Sequence, residues 1–536
     1  MNQDDSYVTP QSLLSNVSIT SLSQFVGNPR AQWLVDMGIH IGQYSLAELC
    51  IIETGINFLS NNNIRNEILF SLGFDEHVVK KFEDLSVGNN DKTRELLETL
   101  KISPALFPAK KIKIPPLKSI SSEKCLYPYQ NWMRKSINEF LRDKNKKRAI
   151  VHMPTGAGKT RVSMEAIVDF VRSLRESSVS IIWVAHSEEL CEQAYEQIVS
   201  LWGKHATEEA NIIRLWGGNS SIELTEDTPN FVITSFQTVH SMLTSSKNES
   251  FVRVSILKRM NALLVVDEAH QSTADTYQSV IEFLTNNQSK VLGLTATPGR
   301  DDLKGKGNAT SELATFYENN KLNIVDDEGN HLEDPIKYLQ DKKVLAQVER
   351  VELETDTYVQ LTPNERVRVE KCLEIPDSVL KRLSDDNQRT NLIVAQTLIL
   401  AVERKLQTIV FAASKQNAID MAVLLSLKGC SAKAITDDSS DRGLSIRGFK
   451  KGDIKVLTNY GVLSTGFDAP NIGAVVIGRP TLSVVLYSQM LGRGLRGELM
   501  SGLSNCVLLD VIDNIENMPS IEQAFTYFDH HYKGVG

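Results

Sequence analysis

The amino-acid sequence predicts an α/β protein with two tandem domains, each a parallel sheet with helices on both faces, and an N-terminal all-helical domain. The two sheets are predicted by short apolar runs that alternate with helical stretches. A strand of a parallel sheet is buried on both faces, so a continuous apolar run is its typical sequence. The runs form two series, at 149–152, 181–185, 231–234, 263–266 and 291–294, and at 408–412, 454–457, 474–477 and 507–509.

The helical domain is predicted over residues 1–105. Ser45 and Glu48 have the spacing of a capping box, in which both side chains accept hydrogen bonds from backbone N–H groups at a helix start. Val78 and Phe82 recur at helical spacing among charged residues, which is typical of an amphipathic helix. The first 100 residues contain 13 acidic and 6 basic side chains. This acidic segment is therefore expected to be a separate module.

Composition predicts the remaining boundaries. Residues 106–119 combine prolines with lysines, which disfavours helix and predicts an extended basic linker. The first α/β domain is expected at 120–300 and the second at 391–536. Between them, the polar region 301–390 predicts a flexible loop followed by connecting helices.

A glycine-rich loop lies between the first predicted strand and a helical run, which is the setting of a phosphate-binding loop. Gly156 and Gly158 allow backbone N–H groups to approach phosphate oxygens. Lys159 supplies a positive charge to the β and γ phosphates, and the Thr160 hydroxyl is suited to bind Mg²⁺. Met153 stands where the usual pattern has its first glycine. An ordinary glycine turn is the alternative interpretation.

Two adjacent carboxylates end another predicted strand. Asp267 and Glu268 follow the apolar run 263–266, and ligands of α/β proteins bind at this edge of a sheet. Asp267 is suited to hold magnesium, directly or through water, whereas Glu268 is suited to polarise an attacking water as general base. A solvated acidic turn is the alternative, but the glycine-rich loop upstream argues against it.

These motifs resemble those of the superfamily 2 helicases and translocases, in which a D-E-x-H sequence follows the phosphate-binding loop. The resemblance covers residues 120–515, with the motifs in the order of the family. It implies that both α/β domains are RecA-like and that the chain binds ATP and Mg²⁺. The similar segments are 126–130, 153–160, 185–190, 234–238, 267–270, 295–298, 409–414, 463–470 and 489–496.

The resemblance also implies roles for individual residues. The catalytic residues would be Lys159, Asp267, Glu268, Arg493 and Arg496, and the metal ligands would be Thr160 and Asp267. ATP would be bound by Gln130, Thr155, Gly156, Gly158, Lys159, Thr160, Gly466 and Asp468, with Gln130 reading the adenine. Hydrolysis would be coupled to movement by His270, Thr295, Thr297 and Gln489, and nucleic acid would be contacted by Thr234, Ser235, Gln237, Ser414 and Thr465.

Arg493 and Arg496 correspond to the arginine fingers of the family. Negative charge spreads over the γ-phosphoryl oxygens in the transition state, and a guanidinium group neutralises it. Such fingers contribute about 10³ to 10⁵ in rate. Because the fingers and the phosphate-binding loop belong to different domains, hydrolysis is expected to require closure of the cleft between the domains.

The later motifs are similar to those of the motor subunits of type I and type III restriction enzymes and of related bacterial DNA repair helicases. The resemblance therefore implies a DNA helicase or translocase in a restriction, antiviral defence or repair system. The alternatives are an RNA helicase and an ATP-gated nucleic-acid scaffold with little turnover. The chain is acidic as a whole, but beyond the N-terminal segment it is nearly neutral, which is compatible with a local basic groove.

A protein partner is also expected. The sequence shows no nuclease motif, so DNA cleavage would require a nuclease or another subunit of a defence system. The acidic N-terminal module is the expected docking site for that partner. On this interpretation, deletion of residues 1–105 leaves the basal ATPase activity intact.

Membrane and disulfide-rich classes are disfavoured. No run approaches the roughly 20 consecutive apolar residues that span a bilayer, and the chain starts with polar and acidic residues that are not typical of a signal peptide. The six cysteines are scattered without a C-x-x-C pair, which argues against a zinc site and a disulfide framework. A cytoplasmic protein is therefore expected.

Overall fold

The computed structural model describes residues 7–88, 90–103, 125–174, 179–205, 209–217, 224, 227–245, 248–297, 309–370, 375–439, 442–463, 471–481, 483–501 and 503–515. The predicted linker 106–119 and the predicted site residues Thr465, Gly466 and Asp468 lie outside these ranges. Within them, no helix combines the length and the apolar composition needed to cross a membrane.

The N-terminal region is helical, as predicted. It contains α1 (Pro10–Leu14), α2 (Ile19–Val26), α3 (Asn28–Asp36), α4 (Gln43–Thr54), α5 (Asn62–Ser71), α6 (Glu76–Lys81) and α7 (Asp91–Thr99). The predicted capping box is wrong, because α4 begins before Ser45, whose hydroxyl accepts a hydrogen bond from the Gly42 backbone N–H at 2.9 Å. Glu48 lies further into α4 and is buried.

Over the described residues, the first sheet has seven parallel strands in the order β3-β4-β2-β5-β6-β1-β7. The central strands are buried along almost their whole length, as their apolar sequences predict. The elements of this part are α8 (Pro128–Arg142), β1 (Arg148–His152), α9 (Lys159–Leu174), β2 (Ser180–Ala185), α10 (Glu188–His205), β3 (Asn211–Leu215), β4 (Asn230–Ser235), α11 (Phe236–Thr244), α12 (Asn248–Met260), β5 (Asn261–Asp267), α13 (Asp275–Leu284), β6 (Lys290–Thr295), α14 (Ala309–Phe316) and β7 (Lys321–Leu322).

The second sheet, counted over the same ranges, has six parallel strands in the order β10-β11-β9-β12-β13-β8. The fold class is therefore confirmed: two parallel α/β sheets follow a helical region. The elements are α15 (Pro335–Asp341), β8 (Gln347–Val359), α16 (Pro363–Glu370), α17 (Asp377–Ser384), α18 (Asn387–Leu398), β9 (Gln407–Phe411), α19 (Lys415–Leu427), β10 (Ala432–Ile435), α20 (Arg442–Lys451), β11 (Val456–Asn459), β12 (Ile472–Ile477), α21 (Val484–Leu491), α22 (Glu498–Ser501) and β13 (Asn505–Ile515).

The region 301–390, predicted as a loop and connecting helices, also contributes strands to both sheets. The short strand β7 pairs with β1 in the first sheet. The long strand β8 forms an edge of the second sheet and pairs with β13 from Gln347 to Val359. Charged residues alternate with apolar ones along β8, and most of its side chains are at least partly exposed. Because β8 has no continuous apolar run, the pattern that predicted the buried strands did not predict this edge strand.

The N-terminal helices pack against the second α/β domain through α19. Ala422 of α19 lies in the core of the second sheet, whereas Val423 lies in the core of the N-terminal helices. Arg30 of α3 connects the two parts, because its guanidinium nitrogens lie 2.6 Å from Glu53 Oε1 and 2.6 Å from Asp420 Oδ1. The N-terminal helices thus have a core of their own, which Val423 of α19 joins, and their independence as a module stays a prediction.

Candidate active site

The phosphate-binding loop lies where β1 ends and α9 begins. Gly156 and Gly158 each have a φ angle of +87°, a conformation that residues with a Cβ atom rarely adopt. A Cβ atom at Gly158 would also lie 2.5 Å from the Gln130 amide nitrogen. Lys159 is the first residue of α9 and lines the cavity in front of the loop. The positive end of the helix dipole therefore favours an anion at this point.

Helix α8 supports the loop from behind. The carbonyl oxygen of Ala157 accepts hydrogen bonds from the Tyr129 hydroxyl at 2.9 Å and from Gln130 Nε2 at 3.0 Å. Gln130 Oε1 accepts a hydrogen bond from the Tyr127 backbone N–H at 3.0 Å. Gln130 is buried, so its amide positions the loop in this structure, and its contact with adenine stays a prediction. Sequence reasoning missed Tyr129, for which the only signal was its place beside Gln130.

The sheet order brings the loop and the carboxylates together. Strand β6 lies between β1 and β5, and Thr295 at the end of β6 pairs with His152 at the end of β1. On the other side of β6, Leu294 pairs with Asp267 of β5. Lys159 Nζ lies 3.8 Å from Asp267 Oδ1. The phosphate-binding loop and the two carboxylates, which are distant in sequence, are thus adjacent at the carboxyl ends of the strands.

Glu268 adopts a left-handed backbone conformation, with φ 53° and ψ 50°. Its backbone N–H donates a hydrogen bond to Asp267 Oδ1 at 3.1 Å. A left-handed conformation costs a residue with a Cβ atom roughly 1–3 kcal/mol, and such conformations are concentrated at functional sites. Glu268 and Asp267 line the same cavity as the phosphate-binding loop.

The two carboxylates differ in their affinity for protons. Burial raises the pKa of Asp267 to about 6, although the Lys159 ammonium acts in the opposite direction. Burial also acts to raise the pKa of Glu268, but the positive charges of Lys159 and then of His270 and Arg493 outweigh it, and the pKa falls below its ordinary value. Glu268 is therefore ionised at neutral pH, as a general base must be.

A chain of polar contacts leads from Glu268 to the end of β6. His270 Nδ1 lies 3.4 Å from Glu268 Oε2 and 3.3 Å from Thr295 Oγ1. The Thr295 hydroxyl donates to the carbonyl oxygen of Thr297 at 2.8 Å. The structure thus connects His270, Thr295 and Thr297, three of the four residues predicted to couple hydrolysis to movement. Gln489, the fourth, is buried on α21, and no described residue forms a hydrogen bond with its Nε2 atom.

The cavity in front of the loop lies between the two α/β domains and has a volume of about 510 Å³. The predicted site residues that line it are Thr155, Gly156, Gly158, Lys159, Thr160, Asp267, Glu268, Arg493 and Arg496. A Cβ atom at Gly156 would lie 3.5 Å from Arg496 Cγ, and one at Gly492 would lie 2.6 Å from Thr155 Cβ. The cleft is therefore closed, and the arginine segment touches the phosphate-binding loop.

A segment that sequence reasoning missed borders the same contact. Residues 343–347 run beside the arginine segment, and the backbone N–H of Ala346 donates to the Leu495 carbonyl oxygen at 2.9 Å. Leu345 Cδ2 would lie 3.4 Å from a Cβ atom at Gly156. The only sequence signal for this segment is a short apolar run in a charged region.

The residues predicted to bind magnesium fit that ion. In phosphate-binding loops, Mg²⁺ is held by a hydroxyl, a carboxylate and the phosphates of the nucleotide, rather than by a cage of protein ligands. Thr160 and Asp267 line one cavity and supply the hydroxyl and the carboxylate. In the described part of the chain, no group of three or more His, Cys, Asp or Glu side chains is placed to hold a metal, and this mode of binding requires none.

The residues predicted to contact nucleic acid lie in different environments. Thr234 is fully buried, and its hydroxyl donates to the Leu215 carbonyl oxygen at 2.8 Å, so its predicted role is corrected to a contact between strands. Ser235 is buried, and its hydroxyl accepts a backbone N–H at the start of α11 at 3.1 Å. Gln237 is exposed, and Ser414 is half-buried at the start of α19.

Comparison with known proteins places the chain in a family. Residues 123–300 match the family of the type III restriction enzyme res subunit, and residues 390–498 match the helicase conserved C-terminal domain. Together these two segments make up more than half of the chain.

Two of the curated relatives that match the chain are helicases by name. The mitochondrial ATP-dependent helicase assigned as irc3 in Schizosaccharomyces pombe is 28% identical over 412 residues, which are 73% of this chain and 58% of that protein. The ATP-dependent DNA helicase MPH1 of Scheffersomyces stipitis is 26% identical over 199 residues, which are 37% of this chain and 17% of that protein. The chain thus spans little more than half of the first relative and less of the second.

A solved structure is also similar. A fragment assigned as the HsdR subunit of a type I restriction enzyme from Vibrio vulnificus has a TM-score of 0.49 and 19% identity, covering 72% of this chain and 63% of the fragment. With both family matches and the ordered motifs, the chain belongs to the superfamily 2 helicases, and its first α/β domain matches the res-subunit family of type III restriction enzymes.

Proposed function

We propose that the chain is a DNA helicase or translocase that couples ATP hydrolysis to movement along DNA. One observation carries the proposal: Lys159, Asp267 and Glu268 share a cavity with Arg493 and Arg496 of the other α/β domain. An ATP site divided in this way is complete only when the domains close, and it opens again for product release. Each turnover then moves one domain relative to the other.

The first α/β domain binds and orients ATP. Its backbone N–H groups cradle the phosphates, and Lys159 neutralises their charge. Thr160 and Asp267 would hold Mg²⁺, which supplies further positive charge to the phosphates when bound. Glu268 accepts a proton from the attacking water, and His270, 3.4 Å from its Oε2 atom, keeps the carboxylate in place.

The second α/β domain completes the site. Arg493 and Arg496 lie at the cavity wall and would neutralise the charge that develops on the γ-phosphoryl oxygens. The motor halves that we propose are residues 120–300 and 391–536, with the region 301–390 supplying strands to both. Because the site is divided between the domains, hydrolysis depends on closure of the cleft. A nucleic-acid strand that binds across both domains would favour this closure.

DNA is the substrate that we favour over RNA. The proposal is supported by the match to a restriction-enzyme subunit and by the similarity to MPH1, which is named as a DNA helicase. We also propose a cytoplasmic role in bacterial restriction, antiviral defence or DNA repair, of which the match to a restriction-enzyme subunit supports restriction. A nuclease or another subunit would act with the motor, and the outward face of the N-terminal helices is the surface that we propose for it.

ATP hydrolysis by the purified chain tests the proposal. It should be measured without nucleic acid and with single-stranded DNA, duplex DNA and RNA at one fixed salt concentration, with Lys159→Ala as the control. We expect stimulation by DNA that is lost in the variant. Equal or greater stimulation by RNA would contradict the choice of DNA and support an RNA helicase. Absence of turnover with every nucleic acid would favour an ATP-gated scaffold.

A further inference from the structure

The carboxyl edge of the second sheet carries an arginine that the nucleotide site does not use. Arg479 follows β12, Tyr460 follows β11, and Ser414 follows β9. These three parallel strands are neighbours in the order β11-β9-β12, and their last residues, Asn459, Phe411 and Ile477, pair in register. The three side chains therefore belong to one edge of the sheet, and Ser414 is a predicted nucleic-acid contact.

Arg479 reaches across the end of β9 to Tyr460. Its guanidinium carbon lies 4.9 Å from the centre of the Tyr460 ring, which is the geometry of a cation–π contact. Both side chains are half-buried. No described residue forms a hydrogen bond with the buried Nε atom of Arg479. The guanidinium group is thus held against an aromatic ring without a carboxylate partner in the described part of the chain.

Other cations near this edge are paired. Lys415, next to Ser414, lies 2.5 Å from Asp437 Oδ1 and 3.0 Å from Asp438 Oδ2. Arg442, at the start of α20, lies 3.0 Å from Glu189 Oε1. Arg479, by contrast with Lys415 and Arg442, has no carboxylate partner among the described residues. A partly desolvated positive charge that lacks a protein anion is costly unless a ligand supplies one.

We propose that Arg479, held on Tyr460, binds the phosphodiester backbone of the nucleic-acid strand that the motor follows. A guanidinium group presents a planar set of N–H donors that matches two phosphate oxygens, and stacking on an aromatic ring fixes its orientation before the strand arrives. This inference rests on the proposed function, because it assigns a contact to the same substrate. Arg479 does not line the nucleotide cavity, so its target is the strand and not ATP.

Binding of labelled oligonucleotides to the full chain tests the proposal. Fluorescence anisotropy with single-stranded DNA, at several salt concentrations, gives the affinity and its salt dependence. We expect Arg479→Ala to weaken binding about 3- to 10-fold and to reduce the slope of log K against log salt by about 0.7, the value for one phosphate of a single strand. Arg479→Lys, which keeps the charge but loses the planar donors, should be intermediate. Tyr460→Leu should weaken binding without changing the slope.

Arg404→Ala is the matched control, because Arg404 is exposed and pairs with Glu349 at 2.8 Å away from this edge. Its binding should equal that of the wild type. Thermal melting and the affinity for a fluorescent ATP analogue should be unchanged in Arg479→Lys. Wild-type affinity and slope in Arg479→Ala, or a loss of ATP affinity in Arg479→Lys, would overturn the proposal while the motor function stands. A wild-type chain that binds no nucleic acid would instead refute the proposed function.

Discussion

Glu189 at the start of α10 forms an ion pair with Arg442 at the start of α20, with 3.0 Å between Oε1 and Nη1. The pair joins the first α/β domain to the second outside the nucleotide cavity. The two side chains are 38% and 26% exposed, so solvent screens the attraction, and the pair contributes less than about 1 kcal/mol. It therefore makes a small contribution to closure of the cleft, beside the contact of the arginine segment with the phosphate-binding loop.

Loss of this ion pair should open the cleft slightly. We expect Arg442→Ala to reduce the ratio of closed to open molecules by at most about fivefold, because only a screened interaction is removed. Energy transfer between dyes on the two domains, measured with a non-hydrolysable ATP analogue, gives this ratio. The double exchange of Glu189→Arg with Arg442→Glu should restore wild-type transfer. Identical transfer in the wild type and Arg442→Ala would show that the pair has no effect on closure.

Removal of the general base should separate binding from hydrolysis. Glu268→Gln is expected to bind ATP like the wild type, because the loop, Lys159 and Asp267 are intact. Its turnover should fall by about 10² to 10⁴, since no carboxylate then accepts the proton from water. Steady-state hydrolysis and the affinity for a fluorescent ATP analogue measure the two effects. Normal turnover in this variant would refute the role of Glu268.

A small side chain at Gly492 should prevent closure without unfolding either domain. A Cβ atom there would lie 2.6 Å from Thr155 Cβ across the cleft. We therefore expect Gly492→Ala to lose most of its ATPase activity while its melting temperature stays close to that of the wild type. Gly203→Ala is the matched control, because a Cβ atom at Gly203 would meet no atom within 4 Å. Full activity in Gly492→Ala would show that hydrolysis does not need this contact.

Loss of Arg30 should weaken the attachment of the N-terminal helices. Glu53 and Asp420 are only 21% and 11% exposed, and Arg30→Ala leaves both without their guanidinium partner. We expect the free energy of unfolding to fall by about 1–3 kcal/mol. Urea unfolding measures the change in the free energy of unfolding, and hydrogen exchange of the backbone amides in α3 and α19 locates it. Arg94→Ala, at a side chain that is 45% exposed, should change the stability little.

The effect of Arg30→Ala should depend on pH. Burial raises the pKa of Glu53 and of Asp420, although Arg30 opposes this in both cases. Without Arg30 the folded-state pKa values rise further, so protonation at lower pH relieves the buried charges. The loss of stability should therefore be largest at neutral and alkaline pH and smaller near pH 5. A loss that stays constant across this range would show that the carboxylates are not the cause.

Deletion of the N-terminal helices should impair the motor, contrary to the expectation from sequence. Without them, Val423 of α19 and its apolar neighbours would be exposed to water. We expect a chain that lacks residues 1–105 to aggregate or to lose ATPase activity, as gel filtration and a turnover assay would show. The same deletion with Val423→Lys should be more soluble. A soluble and fully active deletion variant would contradict this view of the interface.

The sequence alone determined the apolar strands at the centre of the two sheets, the phosphate-binding loop and the Asp267–Glu268 pair. Each of these features is encoded locally: a buried strand requires an apolar run, and a phosphate cradle requires closely spaced glycines before a helix. The resemblance of the motifs then indicated Arg493 and Arg496, which the structure places at the wall of the same cavity.

The tertiary structure decided what depends on contacts between distant segments. The burial of Thr234, the backbone pairing of Ala346 with Leu495 and the packing of Val423 against the N-terminal helices have no local signature. The apolar character of a side chain indicates that it will be buried, and polar character indicates that it will form hydrogen bonds. Neither indicates which residue it will contact. Segments pack together when their contact buries much apolar area and leaves few polar groups without a hydrogen bond. This depends on the arrangement of the whole folded chain and not on the local sequence.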